Sequence, residues 1–131
     1  MGSSIITNKG KLIMLNRTWK ATPDYTTMST FKIGTGTTAP AITDTDIETG
    51  VNINGGATKS FVTGFTTLDE TNFQATIRCF LNTLEGNGNN LTEMAIFNTD
   101  ATPKMWSRMT HTSVTKSNSI EITYIQKDKL T

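Results

Sequence analysis

One cysteine and one histidine in 131 residues withhold most of the side chains from which metal centres and acid–base machinery are built. A single cysteine, Cys79, forbids an intrachain disulfide and any cysteine-based metal cluster. It lies in an alternating run with Phe73, Ala75, Ile77 and Leu81, which predicts a small buried thiol whose one basic neighbour, Arg78, points to the opposite face. Zinc catalysis usually needs several His or Cys ligands, and a catalytic dyad needs a converging nucleophile and carboxylate. His111 is therefore expected to be a surface histidine at a strand end. Charge of one sign is also lacking. Twelve basic against 11 acidic residues give a net charge of +1, scattered without runs, which removes the electrostatic case for nucleic acid or an anionic membrane surface as partner. No stretch approaches the roughly 18 consecutive apolar residues of a membrane span. The opening MGSSIITNKGKL has no hydrophobic region of a secretory signal, so the Asn-x-Thr sequons at Asn16 and Asn90 carry little weight.

What is abundant is threonine, about a fifth of the chain. A β-branched polar side chain suits the solvent face of a strand and is mediocre in a helix. With ten glycines, many asparagines and few Leu or Ala, this predicts an all-β protein with polar outer faces, one domain over residues 1–131. The exception is the N-terminal stretch 1–20. Thr7 can cap a helix in which Leu12, Leu15 or Asn16, and Trp19 recur at helical spacing, with Ile5 and Ile6 as a leading arm or strand. Strands are expected at 27–33, 50–53, 58–65, 72–82, 92–97, 104–112 and 119–126, broken most strongly at Asn54-Gly55-Gly56 and at 86–90. Asp69 and Glu70 read as a turn. The last strand sets Ile120, Ile122 and Tyr124 on one side and Glu121, Thr123 and Ile125 on the other, and residues 126–131 read as a short charged tail that frays unless held. About seven strands in this length predict an antiparallel two-sheet sandwich with a short N-terminal helix.

The densest motif is TFKIGTGTTAPAITDTDI, residues 30–47. Gly34, Gly36 and Ala39 match the first half of a dinucleotide fingerprint, but no helix-forming pattern follows Pro40 and no acidic ribose ligand lies about 20 residues on, so a strand ending in a rigid turn is expected and no cofactor. Asp44, Asp46 and Glu48 alternate as calcium ligands might be spaced in a loop, yet the glycine and distal glutamate of a helix-loop-helix site are missing; a solvated turn is the expectation, and no metal. Trp106, beside Ser107 and Arg108, offers an aromatic face of the kind that stacks on sugars, against packing across a sandwich or at a subunit contact.

The order of segments resembles that in small β-sandwich structural proteins of tailed bacteriophage particles, including modules of tail-collar and fibre proteins. The likeness is carried by Gly34 to Pro40, Asp44, Thr45, Ile47 and Val51, then by Glu93, Ile96, Phe97, Asn98, Met105, Arg108, Lys116, Ile120, Ile122 and Tyr124. It covers nearly the whole chain. Ala95 departs from the usual glycine, and Pro103-Lys104 fills the common Asp-Gly hairpin position. The resemblance implies a non-enzymatic virion protein, assembled in the bacterial host cytoplasm from many copies of itself and other virion proteins, as tail, baseplate or capsid decoration. The contact residues expected are Ile5, Ile6, Trp19, Trp106 and Leu130. The alternative is a receptor-binding module at a tail tip with a host-surface glycan as partner.

Overall fold

The structure, a computed structural model, describes residues 4–130. The chain forms β1 (Ser4–Ile6), α1 (Asn8–Trp19), β2 (Met28–Gly34), β3 (Lys59–Ser60), β4 (Thr67–Asp69), β5 (Gln74–Leu81), β6 (Asn90–Asn98), β7 (Met105–Thr115) and β8 (Ile122–Lys129). Two antiparallel sheets face each other, one ordered β1-β7-β6-β2-β3 and the other β4-β5-β8. This is the all-β sandwich with one short helix that threonine content and strand spacing predict.

Period-two patterning places the core. Phe31 and Ile33 of β2, Met94 and Ile96 of β6, and Met109 of β7 meet Ile77, Cys79 and Leu81 of β5 and Tyr124 of β8 between the sheets. Strand β6 is buried along nearly its whole length. Its other face, with Ala95 and Phe97, packs with Met105 and Ile47, because the segment after β2 folds back over the outside of the larger sheet. Burial on both faces explains why LTEMAIF reads as a near-continuous apolar run with one acidic residue in it.

Five stretches of the chain depart from expectation. Residues 50–53 make only a single bridge, Gly50 to Gly34, because the chain turns at once: Ile53 N–H donates to Gly56 O at 2.8 Å and Gly55 takes a φ of 78°. Residues 58–65 are not one strand. After β3 the chain changes sheets between adjacent residues, Phe61 N–H donating to Ser29 O of β2 and Val62 N–H to Arg78 O of β5, each at 2.9 Å. The turn expected around Asp69 begins later, since Thr67–Asp69 pairs with Gln74–Thr76 as β4. Asp69 then caps the turn by accepting from the amides of Thr71 and Asn72, both at 3.1 Å, and Phe73, expected inside, sits exposed at a φ of 53°.

The tail is the fourth such stretch. Residues 126–129 continue β8 and pair with 74–77, with Gln126 and Asp128 buried; Thr131 lies outside the described residues. The fifth is the helix face. Thr7 does cap α1, its Oγ1 accepting from Gly10 N–H at 3.1 Å, but the buried helix residues are Gly10 and Ile13. Leu12, Leu15 and Trp19 face outward. The reason is close approach: a Cβ on Gly10 would stand 2.5 Å from Trp106 O and 3.1 Å from its ring, so the helix rests on β7 through its smallest residue.

Candidate functional site

The glycine-threonine motif and the later Glu and Arg of the sequence come together in a buried ionic clasp on the outside of the larger sheet. Glu93 Oε1 accepts from the amides of Gly36 at 3.0 Å and Thr49 at 2.8 Å, and Oε2 from Glu48 N–H at 3.1 Å. Arg108 closes the other side, with Nε at 2.9 Å and Nη2 at 2.8 Å from Glu93 Oε2. Its remaining donors reach Asp44 at 3.0 Å and Thr38 O at 3.1 Å. Burial works to lower the Arg108 pKa, but Glu93 and Asp44 outweigh it and raise it above its ordinary value. Gly34 and Gly36 are small because a Cβ on either would fall on Glu93 or Glu48 atoms. The paired glycines thus admit an internal carboxylate where the dinucleotide fingerprint would admit a phosphate.

Other candidate groups are taken internally. Asp46 pairs with Lys32 at 2.8 Å, Glu48 accepts from Thr37 N–H at 3.0 Å, and no group of three potential metal ligands occurs among the described residues. His111 lies within β7 and not at its end, half-buried, with one ring nitrogen 2.9 Å from the Tyr124 hydroxyl and the other 2.8 Å from Thr112 O. Burial pushes both the Cys79 thiol and the Tyr124 phenol up, away from ionisation at neutral pH.

The feature left open is a cleft of about 1100 Å³ between α1 and the edge of the smaller sheet. It is lined by Ile5 and Ile6 of β1, Leu15 and Trp19 of α1, and Ile125 and Leu130 at the edge of the smaller sheet. Trp19 is 80% and Leu15 58% exposed, far beyond what a single helix needs at its apolar face. Four of the five expected contact residues, Ile5, Ile6, Trp19 and Leu130, therefore meet in one place. The fifth, Trp106, does not line it. Its ring packs under Gly10 and its Nε1–H donates to Asp128 at 2.9 Å.

Asp128 supports the cleft from beneath. Its two oxygens accept from Trp106, from Ser107 Oγ at 2.9 Å, from Gln126 Nε2 at 2.8 Å and from Ser4 Oγ. Those four donors saturate the carboxylate and tie β8 to β7 and β1 at the edge where the sheets meet. Sequence reasoning missed Asp128 by reading 126–131 as a tail. It missed the clasp although a signal was present, a glutamate and an arginine each alone in an apolar run. Leu15 is read from the sequence only as a residue at helical spacing, and Ile125 as one on the side of Glu121 and Thr123; the fold places both on the lining of one cleft. No family model, curated protein or solved structure matches the chain.

Proposed function

We propose that this chain is a non-enzymatic structural subunit of a bacteriophage virion, assembled in many copies through the cleft between α1 and β8. The observation that carries the reading is the convergence of Ile5, Ile6, Trp19 and Leu130 on one open, apolar surface, since an exposed patch of this kind rimmed by polar residues marks a meeting surface. Two further points support it. The carboxylates of the clasp and the histidine are engaged in internal contacts, and the sequence resemblance to tailed-phage sandwich proteins is carried in part by clasp residues, Gly36, Asp44, Glu93 and Arg108 among them. The glycan-binding alternative drew on an available Trp106 face, and that indole is committed to Asp128 and Gly10.

Electron microscopy of intact particles carrying the labelled full chain tests the role. Label at regularly repeated positions is expected. Particles that form normally without incorporating it would overturn the reading.

A further inference from the structure

Strand β8 is the open edge of the smaller sheet. In an antiparallel ladder, residues alternate between pairs that exchange hydrogen bonds and pairs whose N–H and C=O groups point away. Leu130 N–H donates to Phe73 O at 2.9 Å. Given the register of Asp128 on Ala75, Gln126 on Ile77 and Tyr124 on Cys79, the even-numbered residues bond inward to β5. The backbone groups of Thr123, Ile125, Lys127 and Lys129 are then turned to the free edge, with no partner among the described residues. Their side chains share the outer face with Glu121, and all five residues are exposed. The other edge strands among the described residues are shorter: β1 and β4 have three residues and β3 has two.

We infer that the occupant of this edge is a second copy of the same chain, its β8 laid antiparallel against this one across a twofold axis at Ile125. The inference rests on the assembly reading above and names the partner. Charge narrows the register to those that set a lysine opposite Glu121: a twofold at Tyr124 would give it Lys127, with Thr123 against Ile125, whereas one at Ile125 gives it Lys129 and also sets the one apolar side chain of this face against its own copy. Centred on Ile125, the pairing sets Glu121 opposite Lys129 and Thr123 opposite Lys127 on both sides of the axis, with Ile125 against its own copy. Centred on Lys127, two residues along, it sets Lys127 against Lys127, and like charges directly opposite are unfavourable. Centred on Thr123, it leaves both lysines without an acidic partner. The twofold is isologous and closed, and it joins two three-stranded sheets into one continuous sheet. The partner strand runs along residues 125–130, which line the cleft together with Leu15 and Trp19.

The test is sedimentation of the full chain over a concentration series, with Glu121→Lys, Lys129→Glu and the double swap, together with amide exchange by NMR. Each single reversal sets two like-charged pairs across the axis and should weaken the dimer roughly tenfold; the double swap re-forms both pairs and should return the affinity to within about threefold. The amides of Thr123, Ile125 and Lys127 should be slow only in the dimer, whereas those of Tyr124 and Gln126 should be slow in both states. A chain monomeric up to about 1 mM, a dimer weakened further by the double swap, or freely exchanging odd-numbered amides would overturn the pairing. So would protection of those amides only after a synthetic acidic-apolar strand peptide is added, which would give the edge to a different chain. A monomer leaves virion incorporation standing, because that is read from particles; absent incorporation leaves a charge-swapped dimer standing.

Discussion

Glu93 has no exposed surface, and Arg108 is 2% exposed. Taking two such charges out of water is costly, and it is offset only while every lone pair and guanidinium hydrogen has a partner. Glu93→Gln keeps the shape but leaves Arg108 buried beside a neutral amide that puts a donor where Gly36 and Thr49 also donate. The expected loss is about 3 to 5 kcal/mol, measured by urea unfolding. Glu85 gives a milder and pH-dependent case. Its carboxylate accepts from Lys59 Nζ at 2.6 Å and from Asn82 N–H at 2.9 Å. Burial pushes its pKa up, but Lys59, the Asn82 amide and Lys116 outweigh that and hold it below the ordinary 4.5. The unfolded chain then binds this proton more readily than the folded one. The stabilisation is present in full above about pH 4.5 and is lost as pH falls through the lower folded value. Glu85→Gln should cost about 1 to 2 kcal/mol near neutral pH, and the gap between the variant and the parent should close as unfolding is repeated at progressively lower pH.

At the scale of elements, α1 is held by its cap and by a contact that only glycine allows. Replacing glycine with alanine inside a helix ordinarily stabilises by up to about 1 kcal/mol. Gly10→Ala should instead destabilise by about 1 to 3 kcal/mol, because the added methyl meets the carbonyl of Trp106; thermal unfolding of parent and variant gives the sign. The same contact shows what the sequence could tell about this helix. Thr7 announced the start through its side-chain oxygen, a local signal. The buried face was not legible, since Leu12, Leu15 and Trp19 have the spacing of a core stripe and nothing local reveals that Gly10 is the residue in contact.

Strands followed the same rule. The alternation in Ile77, Cys79 and Leu81 and in β2 read correctly because one face is apolar and the other is not. Residues 58–65 were misread because an apolar-polar run looks the same whether it stays in one sheet or crosses to the other, as it does between Phe61 and Val62. The end of β8 was misread because its inward residues, Gln126 and Asp128, are polar. Asp128 is buried through hydrogen bonds from Trp106, Ser107 and Ser4, partners about 20 or more than 100 residues away, and Gln126 through its own bond to Asp128. The candidate site was legible as a set of residues and not as a surface: Ile5, Ile6, Trp19 and Leu130 were named separately, and their meeting is a product of the topology.

For the molecule as a whole, the cleft separates folding from assembly. Leu15 and Trp19 project from a helix that is anchored through Gly10 and Ile13. The double variant Leu15→Ser, Trp19→Ser should therefore keep the parent's stability to within about 0.5 kcal/mol per site while losing association at the cleft. Circular dichroism melts and sedimentation on the same samples separate the two effects.

The hydrogen bond from Ser4 to Asp128 brings the first strand alongside the last. A short peptide linker can therefore join Leu130 to Ser4, and the Asn54-Gly55-Gly56 turn, where an added side chain on either glycine would meet nothing, can be cut to give new ends. Such a circular permutant breaks no ladder in either sheet. It should refold cooperatively with a urea midpoint near the parent's, provided the Asp128 contacts form without the original order of the chain.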